Sequence, residues 1–226
     1  MHGRHKNHKP GFCVVCKAKI TRRFAQELIK RDLIHPAQNV PAPDVGTSAD
    51  EMAWIADEYR RIHPTDINAL ACVTGKPTTK GGLVGRSEAT GKGVQYIVKE
   101  FFRHEDDCLK AGFKGGLKDK KVSIQGLGNV GYHAAKFLQE EDECKIICVM
   151  ERNGAITNPD GLNVEKIKAY LSEHGTFEGC SEGKFESNSS DFLSMKCDIL
   201  IPAARENVIN ESNAQEIKAK LIVEAA

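Results

Sequence analysis

An α/β fold built around a doubly wound parallel sheet is what the sequence predicts, and three observations predict it. Short apolar runs alternate with helix-length amphipathic stretches through the carboxy-terminal two-thirds of the chain. A glycine-rich turn lies at one strand-to-helix junction, and an acid closes the next apolar run. Bulk properties allow such a fold, since 226 residues can bury one large domain, or one whole domain and part of another. Lys plus Arg is 32 against 31 Asp plus Glu, a formal net charge of +1 with no long block of one sign, so nucleic acid and membrane surfaces are not favoured partners. No apolar run approaches the roughly 20 residues of a spanning helix, and the first residues lack the apolar centre of a secretory signal. Cys72, Cys108, Cys144, Cys148, Cys180 and Cys197 are scattered without paired spacing, which suits free thiols in a reducing compartment.

In chain order, the first 16 residues read as irregular and basic. Over residues 17–33, Ile20, Phe24, Leu28 and Ile29 recur at helical spacing, which predicts a helix burying that face and leaving Arg22, Arg23, Lys30 and Arg31 to solvent. Pro36, Pro41 and Pro43 enforce a loop. Ser48-Ala49-Asp50-Glu51 then reads as a capping box opening a helix with Met52, Ile55 and Tyr59 on one face. Residues 69–73 predict a buried strand that stops at Thr74-Gly75-Lys76-Pro77, and a domain boundary is expected there, separating 1–75 from 76–226. Beyond Gly81, Gly82 and Gly85 a helix is expected to bury Val94, Ile97, Val98 and Phe101, with a polar linker over 104–120. Strands at 122–125, 145–150, 198–201 and 221–224 then alternate with helices at 130–140, 164–173 and 212–218. Such alternation predicts a parallel sheet with helices on both faces.

The strongest local signal is Gly126-Leu127-Gly128-Asn129-Val130-Gly131, between an expected strand and an expected helix. In a Rossmann-type dinucleotide site Gly126 makes the tight turn, Gly128 lets the backbone approach a diphosphate, and Gly131 allows close helix–strand packing. Glu151 stands 20 residues past Gly131, where a carboxylate can accept hydrogen bonds from the adenosine ribose. That favours NAD, while Arg152 beside it keeps NADP open, because a guanidinium can pair with a 2′-phosphate. The blander alternative is a Gly-rich turn serving another nucleotide or none. Asp44 in Val40-Pro41-Ala42-Pro43-Asp44-Val45-Gly46-Thr47 is held by two prolines, as suits an acid–base group, though the same residues could simply organise the turn. His5, His8, Cys13 and Cys16 place four potential zinc ligands within twelve residues, but no strand or helix pattern surrounds them, so the expectation is an irregular leader and no metal site.

Six ordered segments together resemble a known family: Thr21-Arg22-Arg23-Phe24, Val40 through Thr47, Glu51-Met52-Ala53-Trp54-Ile55-Ala56-Asp57, Thr74-Gly75-Lys76-Pro77, Gly85-Arg86-Ser87-Glu88-Ala89-Thr90-Gly91, and Gly126 through Gly131. They are similar to signatures of the glutamate dehydrogenases within the Glu/Leu/Phe/Val dehydrogenase family, over about residues 20–224. The resemblance implies reversible oxidative deamination of L-glutamate to 2-oxoglutarate and ammonia with NAD or NADP. It also implies a partial substrate (dimerisation-type) domain over 1–75, an NAD-binding Rossmann domain over 76–226, and, for a full-length form, a homo-oligomer that is a hexamer in the family. By motif, Asp44 is the expected catalytic carboxylate, Arg86 lies on the substrate cleft, and Thr90 lies near the nicotinamide end of the cofactor. Asn129 and Val130 are expected on the diphosphate, Glu151 on the ribose, and Ala203 and Ala204 bordering the cofactor.

The departures carry expectations of their own. The family's upstream Gly-Gly-x-Lys-Gly segment has no counterpart in residues 1–19, Asn39 stands where an Asp is usual, and Ala225 occupies the glycine position of a Glu-Gly-Ala-Asn segment. The expectation is therefore an enzyme truncated at both ends with impaired turnover, the alternative being a non-catalytic nucleotide-binding or interaction remnant. The expected compartment is the cytoplasm, or the mitochondrial matrix if the source is eukaryotic.

Overall fold

Two amphipathic helices, α1 (Val14–Ile29) and α2 (Ala49–Ile62), start the described chain, and each begins at a side-chain cap. The computed structural model describes residues 13–44, 46–188 and 190–226. The chain forms two units, Met1–Arg86 and Ser87–Ala226. In the first, the Ser48-to-Glu51 capping box forms as expected, with the Ser48 amide and hydroxyl donating to Glu51 Oε2 at 2.7 and 2.6 Å. Met52, Ile55 and Tyr59 are buried on the face the sequence assigned to them.

The inner face of α1 differs from the expected one. Ala25 and Ile29 are buried, whereas Ile20 and Phe24 are 51% and 59% exposed. The reason is electrostatic. Glu58 on α2 is only 6% exposed, and a carboxylate removed from water must be paired. Arg22 and Gln26, on the same helical stripe as Ala25 and Ile29, supply the partners: Arg22 reaches Glu58 at 3.0 Å and Asp57 at 3.1 Å, and Gln26 donates to Glu58 at 2.8 Å. Arg22 is therefore a half-buried clamp and not the solvent-facing charge that the periodicity suggested.

The expected strand at 69–73 is instead a 3₁₀ helix, Ala69–Cys72, seated on α2 with Cys72 and Val73 buried. Two of its four residues are alanines, which give a strand little to pack with, and the Ala71 amide closes a turn onto Asn68 at 2.7 Å. A further 3₁₀ turn, Thr78–Lys80, is tied back by Lys80 to Asp57 at 3.5 Å.

The second unit opens with α3 (Ala89–Arg103) and the short α4 (Glu105–Lys110), the latter inside the stretch expected to be a linker. On α3 Val94 and Val98 are buried, but Ile97 is 63% exposed and the buried polar residue is Gln95, whose amide reaches Asp142 at 2.5 Å. There follow β1 (Lys121–Gln125), α5 (Asn129–Glu140), β2 (Lys145–Glu151), β3 (Gly154–Thr157), α6 (Val164–His174), β4 (Lys184–Glu186), β5 (Ile199–Pro202) and β6 (Leu221–Ile222). The sheet order is β4-β3-β2-β1-β5-β6. β1, β2, β5 and β6 are parallel, whereas β3 and β4 add an antiparallel edge that the sequence did not signal. The helix expected over 212–218 is reduced to a 3₁₀ turn, Ala214–Glu216.

One face of the sheet buries Val122, Ile124, Ile146, Val149, Ile199 and Ile201 against α3, α5 and α6. The other buries Ile147, Cys148, Met150 and Leu200 against Phe192, Leu193, Met195 and Ile217. Covering both faces is why these strands read as continuous apolar runs and do not alternate. Among the described residues no helix is long and apolar enough to cross a membrane.

Candidate functional site

The Gly-rich turn joins the carboxyl end of β1 to the first turn of α5, at the point where the chain's next strands lie on opposite sides of β1, β2 on one and β5 on the other. In open α/β sheets this switch point leaves a crevice that takes ligands. Gly126 has φ +90°, and a Cβ there would stand 2.7 Å from the Ala204 Cβ and 3.1 Å from the Ala203 carbonyl. At Gly131 a Cβ would fall 1.9 Å from the Gly126 carbonyl oxygen, so helix and strand meet there with no room for a side chain. Gly128 has nothing within 4 Å of the same ideal position. It is exposed, and no side chain caps α5. The positive helix end with its amino-terminal amides thus opens onto space beside Gly128, an arrangement that suits an anionic diphosphate.

Glu151 ends β2 beside this turn, and its carboxylate accepts the Leu127 amide at 2.6 Å. Lys168, from α6, donates to the Leu127 carbonyl at 2.7 Å. Both backbone groups of the turn's central apolar residue are therefore held, one by an acid and one by a base, while Leu127 itself is 1% exposed. Lys168 is the residue that sequence reasoning missed. Nothing local marks it, because its partner lies 41 positions earlier. Glu151 and Arg152 also line a small crevice with Gly154, Leu171, Gly175 and Phe177. Ala203 is tied to the sheet by its amide on the Gln125 carbonyl at 2.8 Å, which brings it and Ala204 to the same sheet end as Gly126. Thr90 is exposed in the first turn of α3. Its neighbour Gly91 packs so closely on α5 that a Cβ would stand 2.5 Å from that of His133 and 2.9 Å from the Val130 carbonyl. This contact puts Thr90 beside the same helix start.

Asp44 and Arg86 belong to the first unit, and both are exposed. The Asp44 carbonyl accepts the Thr47 amide at 2.9 Å and the Thr47 hydroxyl at 2.8 Å, and that hydroxyl oxygen accepts the Asp44 amide at 2.8 Å. The loop is also anchored from behind. The Thr74 amide donates to the Pro41 carbonyl at 2.9 Å, and Pro43 lies against Gly75 so tightly that a Cβ there would stand 2.6 Å from its ring. The Thr74-Gly75-Lys76-Pro77 segment is thus a brace for the Asp44 loop. Downstream of the loop, burial works against ionised Glu51, but Lys17 at 2.7 Å, Ser48 and backbone amides overcome it and hold its carboxyl down at about 2.

Asn39 donates to the Leu33 carbonyl at 2.5 Å and shapes the approach to the same loop. His5 and His8 lie outside the described residues, and among the described residues no group of three or more His, Cys, Asp or Glu is placed to hold a metal. A separate crevice of about 490 Å³, lined by Asp57, Arg60, Arg61, His63 and Asp66 among others, contains none of the expected site residues.

Comparison with known proteins decides the family. The model for the Glutamate/Leucine/Phenylalanine/Valine dehydrogenases matches residues 81–226, and the model for the dimerisation domain of the Glu/Leu/Phe/Val dehydrogenases matches residues 16–61. The chain belongs to this family. Within it, the chain is 46% identical over 215 residues to the mitochondrial glutamate dehydrogenase of Dictyostelium discoideum, covering 95% of this chain and 43% of that protein. It is also 46% identical over 210 residues to a probable glutamate dehydrogenase of Sinorhizobium fredii, covering 92% and 46% respectively. The crystal structure of a hetero-hexameric glutamate dehydrogenase from Thermus thermophilus is similar with a TM-score of 0.79 at 27% identity, covering 96% of this chain and 48% of that one. The Peptoniphilus asaccharolyticus glutamate dehydrogenase gives a TM-score of 0.68 at 32% identity, with 92% and 46% covered. The chain spans a little under half the length of these relatives. The mixed α/β fold with a largely parallel sheet is the family's fold, as the sequence predicted.

Proposed function

We propose that the chain carries the dinucleotide-binding part of a glutamate-type dehydrogenase, which interconverts L-glutamate with 2-oxoglutarate and ammonia. The observation that carries this reading is the open backbone at Gly128 facing an uncapped helix, with the Glu151 carboxylate beside it. Such a site fits a dinucleotide. Bound there, the nicotinamide coenzyme supplies the hydride acceptor or donor. The amides of Asn129 and Val130 hold its diphosphate, Ala203 and Ala204 border it, and Thr90 lies toward the nicotinamide end. Glu151 accepts from the ribose hydroxyls and repels a 2′-phosphate, which supports NAD over NADP; Arg152 tempers that preference. Asp44 is the proposed proton carrier in imine formation and hydrolysis, because the braced loop presents it with little freedom. Arg86 is proposed on the substrate side. The division of labour into a substrate unit and a coenzyme unit, and a hexameric assembly, belong to the same proposal.

Calorimetric titration with NAD and NADP, followed by glutamate-dependent absorbance change at saturating coenzyme, tests it. Binding of NAD that is lost in Gly131→Ala is expected. A wild-type chain that is folded yet binds neither dinucleotide would overturn the reading, and binding without reduction would confine it to the coenzyme site.

A further inference from the structure

Two cysteines take no part in the site above. Cys13 is the cap of α1, with extended backbone at φ −60° and ψ 158°, and its sulfur accepts the Cys16 amide at 3.4 Å. The two sulfurs are 3.2 Å apart and share a thiol hydrogen bond. Both are exposed, whereas the other six cysteines are buried. Burial pushes four of those up, Cys72 and Cys148 to about 11 and Cys144 and Cys197 to about 12, so they hold little thiolate at neutral pH. The exposed pair is asymmetric. The Cys16 amide and thiol beside Cys13 hold its thiol below the usual range, and sharing that bond pushes Cys16 up.

The geometry points to Cys13 and Cys16 as a reversible dithiol–disulfide site that exchanges with small-molecule disulfides, Cys13 attacking and Cys16 resolving. A bonded pair needs sulfurs about 2.05 Å apart, so closure asks for a movement of roughly 1 Å between two exposed side chains on one helix turn. The Cys13 thiolate attacks one sulfur of the disulfide RSSR, forming a Cys13–SR bond and expelling one thiolate. The Cys16 thiolate then attacks Cys13 Sγ, closing the ring and expelling the second. In sum, two protein thiols and RSSR become one protein disulfide and two RSH. Three features converge here: paired spacing, exposure, and a helix start whose amide already points at the attacking sulfur.

The test uses the whole chain in buffers of oxidised and reduced glutathione, quenched with acid and read by intact mass and non-reducing peptide mapping. The expected result is loss of two hydrogens per chain, mapped to a Cys13–Cys16 crosslink and reversed by dithiothreitol, with the six buried thiols unchanged. Cys16→Ser should accumulate glutathione on Cys13, at least about tenfold faster than Cys13→Ser accumulates it on Cys16. Both positions are exposed, so the variants are expected to fold. Persistence of both thiols in fully oxidised glutathione would overturn the proposal. So would a crosslink involving another cysteine, equal adduct rates in the two variants, or tight zinc retention that blocks the reaction.

Discussion

Within the Gly-rich turn, three glycines look alike in sequence but occupy different surroundings, and their replacements should separate stability from binding. Gly131→Ala forces a Cβ to 1.9 Å from the Gly126 carbonyl and should cost about 3 kcal/mol in urea unfolding as well as abolishing NAD binding. Gly128→Ala meets open space, so stability should stay within about 0.5 kcal/mol while NAD affinity falls about tenfold, read by calorimetry. Glu151 does two jobs at once. Glu151→Ser removes the acceptor of the Leu127 amide, so affinity for both coenzymes drops. The diagnostic is the ratio, which should move about tenfold toward NADP because the repelling charge is gone. These roles were partly legible in the sequence, since the spacing Gly-x-Gly-x-x-Gly and the later acid are local signals. Lys168 was not, because its hydrogen bond to Leu127 exists only once α6 folds back over the turn.

Between α1 and α2 the decisive interaction is the clamp on Glu58. Arg22→Leu leaves that carboxylate buried with fewer partners and should destabilise the first unit by about 2 kcal/mol, whereas Phe24→Ser on the exposed side should change stability by less than about 0.5 kcal/mol. Periodicity alone would rank the two substitutions the other way, because it registers where apolar residues recur and not which buried charge needs a partner. The α2 cap adds a pH dependence. Glu51 titrates at about 2 in the folded chain against an ordinary 4.5. A depressed folded value means that the stabilisation is present above the unfolded pKa and is lost as pH falls from about 4.5 to about 2. The lost contribution is on the order of 3 kcal/mol, and Glu51→Gln should flatten that part of the profile in acid unfolding followed by circular dichroism.

Across the second unit, the buried parallel strands should be the last part to open. Native-state hydrogen exchange is expected to show the slowest amides at Val122, Ile124, Val149 and Ile201, with β3 and β4 exchanging earlier at the sheet edge. At NAD concentrations of 100 times the dissociation constant, those slowest amides should gain about 2.7 kcal/mol of protection, and no gain would mean that binding is not coupled to this sheet.

The α/β class, the parallel core strands, the capping box and the Gly-rich turn are legible in the order of residues alone, because each rests on neighbours within a few residues or on a regular period. Other features emerge only on folding: the inward face of α1, the 3₁₀ form of residues 69–72, the antiparallel β3 and β4, and the residues bracing the Asp44 loop and the Gly-rich turn. Each of those depends on a partner distant in the chain. A buried carboxylate, a carbonyl or an open sheet edge selects its partner by proximity, and proximity exists only after folding.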